Sequence, residues 1–173
     1  MRASQVLYGT FALFGTASST CMFPEPAKQI CYDEPGGTPQ NLNLKEVDYI
    51  ARYLRNYQAQ AVRQGLSPFW KMKVSDADNC AEWQVTTKGG TWALAKLVGD
   101  MDVAVAFTDI ANTIDPGGNA PIADKAKALL KCGTAGGQMG VIVNDTDPLY
   151  ESAEFVNGGF TTEGIVIKLV HSP

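Results

Sequence analysis

The chain predicts an α+β fold: an antiparallel or mixed β-sheet with two or three helices packed on one face, closed by two disulfides. Three observations carry that expectation. Apolar residues recur at helical spacing over about four turns from residue 47, two β-rich runs flank a Gly-Gly turn, and four cysteines follow a leader-like N-terminus. Hydrophobic residues make up 45% of the 173 and charged residues 18%, a balance that suits a folded domain and not a disordered chain.

The first 20 residues combine Arg2, an apolar run over 6–14 and the small residues Ala17-Ser18-Ser19, the three-part layout of a secretory signal peptide. The run is about half the length that spans a bilayer, so removal and not anchoring is expected. Residues 21–173 then make a single domain of ordinary size. An even number of cysteines in a secreted chain reads as disulfides, here between Cys21, Cys31, Cys80 and Cys132. Three pairings are open to four cysteines and spacing does not choose among them. The pairing preferred here is Cys31–Cys80 with Cys21–Cys132, because each would tie a loop or terminus to the body.

Residues 21–40 are rich in Pro and Gly and should be extended. Asn43 with Glu46 three residues on resembles a capping box, and Val47, Ile50, Leu54, Tyr57 and Ala61 then mark a helix that ends at Gly65. Tyr49, Arg52, Tyr53, Arg55 and Asn56 lie largely off that stripe, either at the rim of the core or on a binding face. Residues 69–74 alternate as a strand. CAEWQVTT and TWALAKLV flank Lys88-Gly89-Gly90 as a hairpin. In DVAVAFTDIANTID, the spacing of Val103, Phe107, Ile110 and Ile114 predicts a helix. A further helix is expected from Pro121 through Ile122, Ala126, Leu129 and Leu130 to Gly133. QMGVIVN and GIVIKLV read as buried strands, joined by a long polar connection.

The chemistry-bearing signals are few. The chain has no serine-hydrolase elbow, phosphate loop, metalloprotease helix or EF-hand loop, and its glycine-rich stretches read as turns. There is one histidine, His171, and no closely spaced cysteine pair, so no metal and no cofactor is expected. Acids cluster at Asp76, Asp78 and Glu82 and again at Asp145, Asp147, Glu151 and Glu154, yet no spacing fixes a catalytic pair. Net charge is −4 with the cations scattered, which argues against nucleic acid and against an anionic membrane surface. Stable membrane insertion is not expected. Asn144-Asp145-Thr146 is an N-glycosylation acceptor pattern that fits a surface turn.

The stretches CYDEPGGTPQN, DNCAEW, DIANTID and KCGTAGGQMGVIVN resemble small, cysteine-paired secreted proteins of plant-associated filamentous fungi. Their order over residues 31–144 is similar to that of the extracellular necrosis-inducing-factor effectors, which share an α/β-sandwich plan with fungal killer toxins. The resemblance implies a virulence effector of the host apoplast, without enzymatic activity of its own. Such a protein would act by binding a host extracellular protein, a receptor or a papain-like cysteine protease that it inhibits. Two other classes stay open: a cell-death-inducing or killer-type toxin acting at membranes, and a secreted carboxylate-dependent hydrolase. If the protein enters a protease cleft, the expected anchors are aromatic and apolar loop residues, namely Leu66, Phe69, Trp70, Leu149, Tyr150 and Phe155.

Overall fold

Helix α1 (Leu44–Arg63) begins where the sequence places its cap: the Asn43 side chain accepts a hydrogen bond from the Lys45 amide at 3.0 Å. Just past its end, Gly65 adopts φ +69°, the left-handed conformation that glycine supplies without steric cost. Glu46 does not close a reciprocal box. Its carboxylate accepts instead from the Thr91 hydroxyl at 2.9 Å, which fastens the first turn of the helix to the sheet. The computed structural model describes residues 21–77 and 80–172, so the expected signal peptide and Asp78 lie outside the described residues.

Among the described residues, seven strands follow the chain order β1 (Ile30–Cys31), β2 (Phe69–Met72), β3 (Glu82–Lys88), β4 (Thr91–Leu97), β5 (Val103–Ala106), β6 (Gly137–Gly140) and β7 (Ile165–His171). Five form an antiparallel sheet in the order β1-β6-β7-β4-β3, and β2 pairs with β5 as a separate antiparallel ribbon. The fold is α+β, with the expected hairpin at Gly89-Gly90. On β4, Ala93, Ala95 and Leu97 turn to one side, and their partners Leu169, Ile167 and Ile165 on β7 turn the same way. Val47, Ile50 and Leu54 of α1 cover that face together with Ile110 and Ile114 of α2 (Phe107–Ile114). Small alanines on the central strand let the helices approach closely, and Ala93 and Ala95 are fully buried.

Residues 103–106 correct one expectation: they form strand β5, and the helix starts only at Phe107. All four are fully buried because the ribbon lies between two cores. Val103 and Val105 join Met72 in the main core, whereas Ala104 and Ala106 face Phe69 and Tyr150 on the other side. A strand buried on both faces is a continuous apolar run, so its period of two vanishes from the sequence.

The long helix expected from Pro121 to Gly133 is a second correction. Helix α3 (Ile122–Lys125) is a single turn, Ala128 is extended at φ −80°, ψ 157°, and Leu129–Ala135 is 3-10 helix interrupted at Gly133. Ile122 is 86% exposed and Ala126 is exposed too, so the first part of the supposed apolar stripe buries nothing, whereas Ala128, Leu129 and Cys132 are buried and Leu130 packs partly buried against the main core. After β6 the Val141 amide still donates to the Ile165 carbonyl of β7, whereas the Ile142 and Asn144 amides turn to side chains of α2, and the polar connection contains a 3-10 turn (Pro148–Glu151) and α4 (Ala153–Gly158).

The disulfides are Cys21–Cys80 and Cys31–Cys132, which corrects the preferred pairing. Pairing of β1 with β6 sets Cys31 opposite Gly137, and the tight chain just before β6 delivers Cys132 to the same place. A Cβ at Gly137 would lie 3.0 Å from the Cys132 sulfur and 2.7 Å from the Ile30 carbonyl, so only glycine leaves room for the bridge. At the other end of the sheet, Cys21 accepts from the Gly99 amide and packs with Val98 and Val166, beside the chain that enters β3.

Candidate functional site: a tyrosine ridge

The structure separates the six expected anchors. Phe69 and Tyr150 are buried, so neither can serve as an exposed contact. Phe69 lies 5.7 Å from Tyr150 and 5.6 Å from Phe155 between ring centroids, and Phe155 is 5.1 Å from Tyr150, in the tilted and edge-on contacts of a small second core. Leu149 and Phe155 are half-buried against it, and Trp70 is half-buried against the main core. Only Leu66, at 57%, is well exposed. The physical reason is the connection after β6, which folds back as the 3-10 turn and α4 and lays its aromatics on the outer side of β2 and β5.

Tyr150 is a structural bolt. Its hydroxyl donates to Asp109 Oδ2 at 2.6 Å and accepts from the Ala106 amide at 2.9 Å. Burial raises the titration of Asp109 above the ordinary carboxylate range, against the lowering effect of the Tyr150 and Asn144 hydrogen bonds. Burial raises Tyr150 as well. Asp109 borders a cleft of about 440 Å³ that also touches Asn112, Lys127, Ile142 and Asn144.

Three of the acids noted in the sequence are occupied by protein partners. Asp147 caps the 3-10 turn by accepting from the Leu149 amide, Glu154 pairs with Lys71 at 2.5 Å and Glu82 with Lys168 at 2.5 Å. Among the described residues no cluster of three or more His, Cys, Asp or Glu side chains is placed to hold a metal ion. No described helix is long and apolar enough to cross a membrane.

The surface with the most recognisable chemistry is on α1. Tyr49, Tyr53 and Tyr57 are 40%, 42% and 40% exposed, and consecutive rings stand 6.4 and 6.2 Å apart with interplanar angles of 13° and 29°. Spacing by four residues explains the row: four steps of an α-helix advance about 6 Å and turn about 40° past a full circle. The row therefore drifts toward the core as it runs. Tyr57 meets Phe107 edge-on at 4.8 Å, and Phe107 meets Trp70 at 6.3 Å. At the opposite end, Lys88 Nζ stands 4.5 Å from the Tyr49 ring centroid, a cation–π contact from the hairpin.

This row is a ridge. Lys45, Arg52, Asn56, Gln60 and Arg63 are exposed on the same helix. Helix α1 carries four cations and two acids, a net of +2 in a chain of net −4, and three of those cations, Lys45, Arg52 and Arg63, are exposed. Asp48, which precedes Tyr49 in the chain, is paired with Arg52 at 2.8 Å. Arg55 turns the other way and donates to Asn112 Oδ1 and to the Asp115 carbonyl, which locks α1 to α2. The sequence signal for the ridge is the recurrence of tyrosine at 49, 53 and 57. It is easily taken for core, because Tyr57 also fits the apolar stripe.

Comparisons with protein-family models, with curated proteins and with solved structures return no match.

Proposed function

We propose that the protein is an extracellular effector that acts by recognising a host protein through the tyrosine ridge of α1. The observation that supports this reading is the ridge itself: three aligned, two-fifths exposed phenol rings at i, i+4 and i+8, flanked by cations. Soluble domains rarely leave large aromatics contiguous at the surface, and tyrosine with arginine is the composition of interface hot spots. Anchors at i and i+4 on one helix face are the pattern that enters an apolar groove of a partner. The cationic flank suits a groove bordered by carboxylates, which would steer the encounter and favour one orientation.

Two disulfides and the Arg55 clamp hold the helix in place before binding, which lowers the ordering cost of association. A secreted papain-like cysteine protease is the partner to try first, since a ridge can occupy an enzyme cleft without being a substrate.

The test is capture from plant apoplastic fluid on the immobilised oxidised protein, with Tyr49→Ala/Tyr53→Ala immobilised beside it, followed by titration of each retained protein. One species retained by the wild type and lost by the folded variant is the expected result. Equal retention by both proteins would remove the ridge from the account.

A further inference from the structure

We infer that Asn144 carries an N-linked glycan and that this sugar caps the cleft beside Asp109; the inference rests on the extracellular reading above. The chain contains one Asn-X-Ser/Thr triplet, Asn144-Asp145-Thr146. A triplet alone is weak, but the fold presents this one in a form that can carry a sugar. Asn144 is exposed and opens a turn closed by the Asp147 amide donating to its carbonyl at 2.9 Å. Thr146 Oγ1 donates to Asn144 Oδ1 at 2.8 Å, so hydroxyl and carboxamide lie side by side. Among the described residues the Asn144 side-chain nitrogen donates to no protein group, and a substituent there breaks no hydrogen bond of the fold. The backbone is held from behind, with the Asn144 amide donating to Asp109 Oδ2 at 3.3 Å.

The step is a group transfer without change of oxidation state. Asn144 Nδ2 bonds to C1 of the first N-acetylhexosamine of a lipid-diphosphate-linked oligosaccharide. The C1–oxygen bond breaks, the lipid diphosphate leaves with the electron pair, and the Nδ2 proton passes to a base of the transferase. Attachment occurs on the nascent chain, and the fold then only has to tolerate the sugar.

Position gives the glycan its consequence. Asn144 stands on the rim of the 440 Å³ cleft, next to Ile142, which is 37% exposed. A sugar rooted there covers the isoleucine and closes the mouth of the cleft. That would leave the tyrosine ridge, and not the cleft, as the free face of the secreted protein.

The test uses expression in yeast behind the chain's own first 20 residues and, in parallel, behind a heterologous leader. Protein from medium or microsomes is analysed by mass spectrometry with and without peptide N-glycosidase. The expected result is a glycan at Asn144 that the glycosidase removes with conversion to Asp. It should be lost in Asn144→Gln and Thr146→Ala and kept in Thr146→Ser. Unmodified Asn144 in protein carried by the heterologous leader would overturn the inference. Glycan with that leader but no export by the native one would overturn only the extracellular reading. For the cap, hydroxyl-radical oxidation of Ile142 should rise several-fold in Asn144→Gln, and equal oxidation would overturn it.

Discussion

The hydroxyl of Tyr150 lies 2.6 Å from Asp109 and 2.9 Å from the Ala106 amide, so one phenol joins the post-β6 connection to α2 and to β5. Tyr150→Phe keeps the ring packing and deletes both bonds, leaving a buried amide and a buried carboxylate short of a partner. A loss of about 1–3 kcal/mol is expected in urea unfolding, with the m-value unchanged.

The same pair makes stability pH-dependent in a stated direction. Burial raises Asp109 above its ordinary value of 3.8, so between that value and its folded one the native state binds more protons than the unfolded state. Stability contributed at this site therefore falls as pH rises through the interval and is level above it. Glu25, raised from 4.5 by burial against hydrogen bonds from the Gly164 and Val141 amides, adds a term of the same sign. Because other carboxylates also titrate there, the measurement is a difference. The unfolding free energy of Asp109→Asn should gain on the wild type as pH rises from about 4 toward neutrality. A constant difference would contradict the assignment.

Tyr53 is the middle ring of the ridge, 42% exposed and in contact with rings on both sides. Tyr53→Ala should change unfolding stability by no more than about 1 kcal/mol while weakening partner binding by about 2 kcal/mol, roughly 30-fold. Stability and affinity measured on the same sample separate a surface role from a structural one.

How much of this could be read from the chain depends on how each segment is buried. Helix α1 was legible because one face only is buried and both ends carry a side-chain or glycine signal, Asn43 and Gly65. The β3–β4 hairpin was legible for the same reason, with alternation along β4 and glycines between. Strand β5 was not, since both its faces are covered and no period survives. The stretch around Ile122, Ala126 and Leu129 shows the reverse error, a helical period that arises by coincidence in a chain bent to place Cys132 beside Cys31. The expected anchors Phe69 and Tyr150 failed because exposure is decided by how the connection after β6 folds back, a long-range contact that local pattern does not carry. The tyrosine row was visible as a spacing, but its exposure was not.

The disulfides give a further prediction. Cys31 and Cys132 are 101 residues apart, and Cys21 and Cys80 are 59 apart. Loops of this size place each bridge near the upper end of the usual range, about 4 kcal/mol. Replacing Cys31 and Cys132 together by Ser should cost that much in denaturant unfolding. Non-reducing peptide mapping should recover Cys21 joined to Cys80, and peptides joining Cys31 to Cys80 would contradict the fold.

Gly136 tests the close approach that seats β6. It has φ +72°, and a Cβ there would lie 2.5 Å from the Leu169 carbonyl. Gly136→Ala should destabilise by at least about 2 kcal/mol and lower the yield of the oxidised protein, as read by thermal unfolding and thiol titration.

Recognition through the tyrosine ridge is tested most directly by hydroxyl-radical footprinting of the complex with whichever protein the capture retains. Oxidation of Tyr49, Tyr53 and Tyr57 should fall together on binding, while that of Trp92, on the sheet face away from the helices, stays unchanged. Unaltered oxidation of the three tyrosines in a saturated complex would contradict it.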